Sequence, residues 1–316
     1  MLAAIQRSDD PFFNLALEDY LLHERGEDFL ILSVNRPSLV IGKHQVPHVE
    51  VDAFAAEEDG VAILRRISGG GTVYHDHGNV NFAFIMQSEK GKQVDFTLYT
   101  KPVISYLEKA GIKAVFGGKN DILVDGVKIS GNAEHVFRER VLHHGTILFD
   151  ASFEKMRKYL RPISEKYSSR GVASNRTTVT NIKSQLTGIN SSDELMGSMM
   201  DFFSDYFPGL IKFELKAEES EKVISLAKSK YQTWEWTWAY GPQYNFSSPA
   251  KILGTAHHVK FQVKDGIIWK SEITGSPEME AAGKLLIGCR HMLTDIEVCF
   301  RKNNILVERD ELRNFF

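Results

Sequence analysis

Between positions 65 and 81 the chain reads RRISGGGTVYHDHGNVN. Two arginines, a serine and three consecutive glycines stand there between two apolar runs. Glycine lacks a Cβ, so its peptide N–H groups can close around an anion, while flanking guanidiniums add charge and paired donors. That composition suits the holding of a phosphate or a carboxylate, and a plain flexible turn is the alternative use of the same glycines. No Gly-Lys-Ser/Thr follows and the segment has no GxGxxG, so neither the P-loop nor the dinucleotide-binding fingerprint fits.

A second set lies at 117–132, GGKNDILVDGVKISGN. Residues 122–124 and 127–130 are apolar runs joined by Asp125-Gly126, the pair that a type I′ hairpin turn requires. Alternation puts Val127 and Ile129 on one face and Lys128 and Ser130 on the other, with Leu123 across from Lys128. A lysine held on a short ribbon is a fixed cation that can stabilise charge growing on oxygen, and a solvated strand lysine is the alternative. Asp121 enters the hairpin beside it and is the carboxylate suited to a Mg2+ that arrives with a phosphate-bearing ligand. Both Asp121 and Asn120 also have an ordinary use as turn residues.

Histidines contribute less. His75 and His77 flank Asp76, and His143-His144 fall on an expected strand, so only one of each pair can reach a common site. HExxH is absent, and these imidazoles read as core or surface groups and not as metal ligands. Trp234, Trp236 and Trp238 alternate and are expected to share one strand face as packing. The polar stretch 170–181, with Ser174-Asn175-Arg176, offers further groups to a substrate.

The elements that must position these residues follow from periodicity and punctuation. NLALEDYLLH at 14–23 predicts an amphipathic helix after Pro11, with strands at 29–34 and 39–42 around Arg36-Pro37-Ser38. A helix at 51–58, a strand at 61–64 and a strand at 79–86 come next. Beyond the hairpin the pattern predicts a strand at 141–149 and helices from 153 and at 193–203. GPQYNFSSP at 241–249 is the best domain boundary, giving a large domain over 1–245 and a small α+β unit over 246–316. In that unit we expect strands at 258–263 and 267–269, a helix at 279–287 and a strand at 295–300. The fold class is mixed α/β or α+β.

Composition narrows the function. The chain has 316 residues, 43% hydrophobic and 25% charged, which excludes disordered, collagen-like and coiled-coil chains. The net charge of −3 argues against a broad nucleic-acid-binding surface. No apolar run approaches the roughly 18 residues of a membrane span, and the N-terminus has no signal or transit pattern. The expected location is the cytoplasm, or the mitochondrion for a processed eukaryotic form. Cys289 and Cys299 belong to no CxxC or CxxH pattern, so neither a disulfide framework nor a cysteine-rich zinc site is supported.

RRISGGGTVYHDHGN, NDILVDGVKISGNA and HHGTILFD, in this order and spacing, together resemble lipoate–protein ligases of the LplA type. TWEWTWAYG is similar to the end of their large domain. The resemblance covers about residues 5 to 245 well and implies a catalytic domain of the biotin/lipoyl protein ligase superfamily, a mixed sheet with flanking helices, followed by a small accessory domain. It implies two half-reactions: lipoate and ATP with Mg2+ give lipoyl-AMP and pyrophosphate, and the lysine amine of a lipoyl domain then takes the lipoyl group. The implied acceptors are the E2 subunits of 2-oxoacid dehydrogenases and the glycine cleavage H protein, served by a monomer.

Carried over by motif, Arg66, Ser68, Gly69, Gly70 and Gly71 line the lipoyl-adenylate pocket, and Thr72, Val73, Tyr74 and Asn79 border the adenine. Lys128 bridges acyl carbonyl and phosphate, Asn120 and Asp121 lie near phosphate and magnesium, and His144 stands near the lysine's pocket. Phe82 and Phe84 are the candidates for an apolar slot. Two neighbours of the family stay open: a lipoyltransferase using preformed lipoyl-AMP, which shares SGGGTVYHD, KISG and the Ser-Asn near 174, and a non-catalytic lipoate or nucleotide sensor. Biotin ligases carry a GRGR-type loop in place of SGGG and fit poorly. Octanoyltransferases acylate a cysteine, and this chain has none before Cys289. Cys289→Ser and Cys299→Ser are therefore expected to leave turnover unchanged; an isolable thioester on either residue would revive cysteine catalysis.

Overall fold

The computed structural model describes residues 1–89, 94–160, 165–175 and 177–316. In chain order it has β1 (Leu2–Ile5), α1 (Pro11–Glu24), β2 (Phe29–Val34), β3 (Ser38–Ile41), α2 (Pro47–Glu50), α3 (Ala53–Glu58), β4 (Ala62–Arg65), β5 (Val73–His75) and β6 (Asn79–Gln87). Next come α4 (Phe96–Lys109), β7 (Ala114–Phe116), β8 (Asp121–Val124), β9 (Val127–Phe137), β10 (Arg140–Leu148), α5 (Phe153–Tyr159) and β11 (Tyr167–Ser169). The remainder is α6 (Ser192–Tyr206), β12 (Ile211–Lys212), α7 (Ala217–Leu226), β13 (Tyr244–Ile252), β14 (Thr255–Lys264), β15 (Ile267–Thr274), α8 (Pro277–Leu285), α9 (Leu293–Lys302) and α10 (Arg309–Leu312). The chain forms two compact units: Met1–Lys43 with Val61–Arg157 and Asn175–Gln232, and His44–Gly60 with Lys158–Ser174 and Thr233–Phe316.

In the first unit a mixed sheet runs β12-β1-β2-β6-β10-β9-β8-β7, and a small sheet runs β4-β3-β5. Parity along the strands sorts the residues. Val80, Phe82 and Phe84 of β6, with Leu30, Leu32, Val141 and Ile147, enter a core completed by Tyr99 and Val103 of α4 and Met199 and Phe203 of α6. The opposite face carries Asn81 and Ala83 of β6 and His144 of β10, which pairs with Ala83.

That second face is covered by α1, whose first turn is set by Asp10: its side chain accepts from the Phe12 N–H, and Pro11 occupies the position where a missing N–H costs nothing. Two buried polar groups fix where α1 lies. Asn14 Nδ2 donates to Asn35 Oδ1 at 2.7 Å, and Asn35 Nδ2 donates to His75 Nδ1 at 2.9 Å. Asp19 accepts from Lys230 and from Tyr231, each at 2.7 Å, and pairs with His23 Nδ1 at 2.7 Å.

Two sequence expectations change, and one helix is new. Residues 295–300 were expected to form a strand on the alternation of Ile296, Val298 and Phe300, but they lie in α9, which buries Leu293, Ile296 and Phe300 at helical spacing and exposes Val298. Trp236 and Trp238 lie in a wide helical turn, Glu235–Ala239, with Trp234 at its N-cap, and not in a strand. Their packing role holds: Arg290 lies 4.2 Å over the Trp234 ring, and Trp238 meets His48. Helix α4, for which the pattern gave no reading, runs through Pro102 after an Asp95 cap that accepts from the Leu98 N–H.

The second unit is built on the antiparallel sheet β11-β13-β14-β15, whose inward residues Phe246, Val259, Phe261 and Ile273 pack on α8 and α9. Asp265 and Gly266 take φ of 49° and 69°, which makes the β14–β15 loop a type I′ turn.

Burial raises the Asp19 pKa, but hydrogen bonds from His23, Lys230 and Tyr231 outweigh it and bring the group down from 3.8 to about 2. A lowered carboxyl pKa stabilises the fold above the unfolded value and loses that contribution as pH falls through the folded one, here about 2 kcal/mol between pH 5 and 2. In urea unfolding, the advantage of wild type over Asp19→Asn is expected to shrink by that amount over this range. A constant difference would show that the charge on Asp19 does not stabilise α1.

Candidate active site

The turn after β4 is organised by Arg66. Its side chain is 5% exposed, and its donors are spent internally: Nε to Ser68 Oγ at 2.9 Å, Nη1 to Val40 O at 3.0 Å, and Nη2 to Gly69 O at 2.6 Å and Gly71 O at 2.8 Å. Burial pushes its pKa down to about 10, against the pull of Glu18, so it remains a cation at neutral pH. A trans peptide points N–H opposite to the preceding C=O. Drawing the Gly69 and Gly71 carbonyls toward Arg66 therefore turns the Gly70 and Thr72 amides away from it.

Gly70 needs to be glycine, with φ of +86° and Arg66 Nη2 only 3.1 Å from where a Cβ would stand. Arg66 thus shapes the loop from beneath and does not project into a ligand's space. Its neighbour Arg65 does similar work, donating from Nη1 to the carbonyls of Gly42 and Lys43.

The hairpin forms as expected, with Asp125 and Gly126 at φ of 50° and 78°. One detail differs. Leu123 pairs with Lys128 while Ile122 pairs with Ser130, so Ile129 is an extra residue in β9, a bulge. Strict alternation fails there: Ser130 shares the face of Ile122 and is buried, whereas Lys128 stays on the face of Asp121 and Gly131. Lys128 Nζ contacts Asp121 Oδ1 at 2.7 Å and lies against Gly131, where a Cβ would stand 3.1 Å from it. Residues 179–180 run alongside, with the Thr180 N–H donating to Lys128 O.

Asn120 and Asn132 clamp the ribbon, each side-chain amide donating to the other's carbonyl at 2.8 and 2.9 Å. Gly145 accommodates that clamp, because a Cβ there would stand 2.1 Å from Asn132 Oδ1.

Loop and lysine meet on one strand. The Cβ position of Gly70 is 4.0 Å from the Ala133 Cβ, and Ala133 is two residues beyond Gly131, about 7 Å along β9. The same face holds His144, whose Nε2 is 2.6 Å from Ser68 Oγ and whose Nδ1 is 2.7 Å from Glu18 Oε2.

Other expected residues differ in exposure and in the face they occupy. Tyr74 and Asn79 are covered, and Asn79 donates its amide to Asn81. Thr72 is buried, and Val73 beside it is half-buried. Phe82 and Phe84 belong to the closed core on the far face, so they cannot line a slot beside Lys128. His143 also looks that way, toward Glu134 at 2.8 Å, and His75 is buried against Asn35 with its pKa pushed down to about 3 by burial, with Arg66 and His144 adding to it. His77 is exposed beside Asp9. Ser174 is bound to Glu50 and Gln45 within the second unit, and Arg176 lies outside the described residues.

Glu18 was not among the sequence candidates. The signal was present, since Leu15, Glu18 and Leu22 fall at i, i+3 and i+7 and put a carboxylate on the apolar stripe of α1. Among the described residues no cluster of three or more His, Cys, Asp or Glu could hold a metal.

A glycine loop braced by a buried arginine stands on the same sheet face as a lysine held on a ribbon, an arrangement whose chemistry suits an anionic acyl or phosphoryl ligand. The model of the lipoyl protein ligase A/B catalytic domain matches residues 10–204, and the chain belongs to that family. Lipoate-protein ligase LplJ of Bacillus subtilis (strain 168) is 33% identical over 274 residues, 85% of this chain and 83% of that protein. In fold, the chain is similar to P. falciparum LipL1 in complex with lipoate (TM-score 0.64, 24% identity, 99% of this chain and 98% of that one). It is similar also to lipoate-protein ligase A bound with ATP (TM-score 0.60, 23% identity, 75% and 96%).

Arg66→Lys keeps the charge but loses the fork that holds three carbonyls and a hydroxyl. We expect it to cost about 1–3 kcal/mol in urea unfolding and to speed backbone hydrogen exchange across residues 68–72. Unchanged exchange there would remove Arg66 from its bracing role.

Proposed function

We propose that the chain is a lipoate–protein ligase that makes lipoyl-AMP from lipoate and ATP, releasing pyrophosphate, and passes the lipoyl group to a lysine of lipoyl domains. The acceptors are the E2 subunits of 2-oxoacid dehydrogenases and the glycine cleavage H protein. The observation that carries this reading is the common sheet face on which the braced glycine loop and Lys128 stand, in a chain of this family.

In this assignment Arg66 fixes the loop, and Ser68, Gly69, Gly70 and Gly71 receive the adenylate's polar centre. Thr72, Val73, Tyr74 and Asn79 are assigned to the border of the adenine. Lys128 leaves Asp121 for the oxygens between acyl carbonyl and phosphate, where a fixed cation stabilises charge as the acyl group transfers. Asp121 then becomes available to Mg2+, which is ordinarily held by one or two carboxylates together with substrate phosphates, so a single aspartate beside Asn120 fits. The ion would supply charge neutralisation at the phosphates. The apolar tail is assigned to the face of Ala83 and Ala133.

We assign catalysis to 1–245, which contains every residue named here, and an accessory role to 246–316. We take the enzyme to be a cytoplasmic monomer; no helix among the described residues is long and apolar enough to cross a membrane.

A transferase confined to preformed lipoyl-AMP is the second reading, favoured by SSRGVASNRTT, whereas the intact Asn120-Asp121 pair favours the full ligase. Cysteine catalysis is disfavoured by the thiol itself: burial and the neighbouring Cys299 push Cys289 up to about 11, which leaves little thiolate.

The test compares ATP plus lipoate with synthetic lipoyl-AMP. A ligase lipoylates an acceptor domain from both and releases pyrophosphate from the first; product from lipoyl-AMP alone selects the transferase. Lys128→Ala is expected to slow transfer at least on the order of a hundredfold while changing stability by less than about 1 kcal/mol, since its ion pair is partly solvated. Near-normal turnover would remove Lys128 from this role.

A further inference from the structure

The turn between β7 and β8 adjoins the Asp121–Lys128 pair directly, because Gly117, Gly118, Lys119 and Asn120 join Phe116 to Asp121. It is closed at its base by the Gly117 N–H, which donates to Asp121 O at 2.8 Å. Gly117 is packed too tightly for a side chain, since a Cβ would stand 3.0 Å from Leu123 Cγ and 3.2 Å from Asp121 O. Gly118 takes φ of +91° with open space around it, so backbone conformation alone calls for glycine there.

The polar groups of this turn are left over. Among the described residues, the N–H groups of Gly118, Lys119 and Asn120 meet no acceptor. A left-handed residue in a short turn brings successive N–H groups to one side, forming the concavity that binds anions. Lys128 is engaged with Asp121 at 2.7 Å, whereas Lys119 is exposed and pairs with no carboxylate among the described residues. Asn120 is clamped to Asn132 through its amide and its carbonyl, which ties the turn to the ribbon that carries Lys128. Asp121 is two residues beyond Lys119, at most about 7 Å of chain.

The adenylation half-reaction needs such a place. A carboxylate oxygen of lipoate bonds to the α-phosphorus of ATP, the bond from that phosphorus to the oxygen bridging to the β-phosphorus breaks, and its electron pair leaves on pyrophosphate. Charge grows on the leaving group, and the protein's contribution to such transfers is positioning and electrostatic stabilisation. Lys128 is committed to the acyl–phosphate oxygens, on the other side of the breaking bond.

We infer that the 117–120 turn is the seat of the β- and γ-phosphates of ATP and then of pyrophosphate, with its free amides as donors and Lys119 as the cation. The inference rests on the ligase reading above and divides the two half-reactions. Lipoyl-AMP has no β-phosphate, so transfer to the acceptor lysine makes no use of the turn.

The experiment uses the full chain. Pyrophosphate with Mg2+ is titrated by calorimetry into wild type, Lys119→Ala, Lys119→Arg and Gly118→Ala. The half-reactions are timed separately, with ATP and lipoate for the first and with synthetic lipoyl-AMP and a lipoyl domain for the second. Lys119→Ala is expected to weaken pyrophosphate binding and to raise KM for ATP, each on the order of tenfold. KM for lipoate should be unchanged, and transfer from lipoyl-AMP should stay within twofold of wild type. Lys119→Arg keeps the cation and is expected to restore both values, whereas Gly118→Ala opposes the left-handed turn and should weaken both with the charge intact.

Pyrophosphate affinity and KM for ATP within twofold of wild type in Lys119→Ala overturn the inference, as does an equal loss in the two half-reactions. A wild-type chain that binds pyrophosphate through Lys119 yet makes no lipoyl-AMP from ATP overturns the ligase reading and leaves the anion site of the turn standing.

Discussion

A guanidinium withdrawn from water must find its partners inside the protein, because an unpaired buried charge costs several kcal/mol. Arg66 satisfies that demand with a strand carbonyl, a serine hydroxyl and two loop carbonyls. The loop can present those carbonyls only by bending back on itself at Gly70, with φ of +86°, a conformation L side chains rarely adopt. The run of glycines, the direction of the loop amides and the place of the Ser68 hydroxyl are thus one solution to a single electrostatic constraint. Lysine could not replace arginine here, having no planar fork to engage separate carbonyls at once.

The second constraint is strand parity. His143 and His144 are neighbours on β10, yet one enters the aromatic core beside Glu134 and the other faces Ser68. A slip of one residue would exchange them. Register is secured by the reciprocal Asn120–Asn132 clamp and by Gly145, which leaves room for the Asn132 amide. The bulge at Ile129 adds the opposite device: it breaks parity once, so that Ser130 is buried while Lys128 keeps company with Asp121.

How far these features could be read in advance depended on range. The Asp125-Gly126 hairpin, the strand at 79–86 and the opposite facing of the paired histidines were legible because each follows from local period or turn chemistry. The bulge was not, since it depends on how two strands register. Residues 295–300 alternate apolar and polar as well as they follow a helical spacing, and only the core beneath Leu293, Ile296 and Phe300 decides between them. The run of glycines was legible as a turn, but the part played by Arg66 was not: in sequence it reads as a ligand-facing charge, and in the fold it faces inward. Phe82 and Phe84 misled for a related reason, because an apolar strand face does not reveal whether helices or a ligand will cover it.

Glu18 and Asp19 show how a helix separates two duties that sequence places side by side. Adjacent helical residues diverge by about 100°, so one carboxylate can be used for anchoring while the next reaches the site. Asp19 is held by Lys230, Tyr231 and His23, which fixes both the rotation and the height of α1. With α1 fixed, the Glu18 carboxylate arrives at His144 at 2.7 Å without a loop to search for the geometry. A carboxylate supplied by a loop would lose ordering entropy each time it oriented the imidazole, whereas here that cost is met once, on folding.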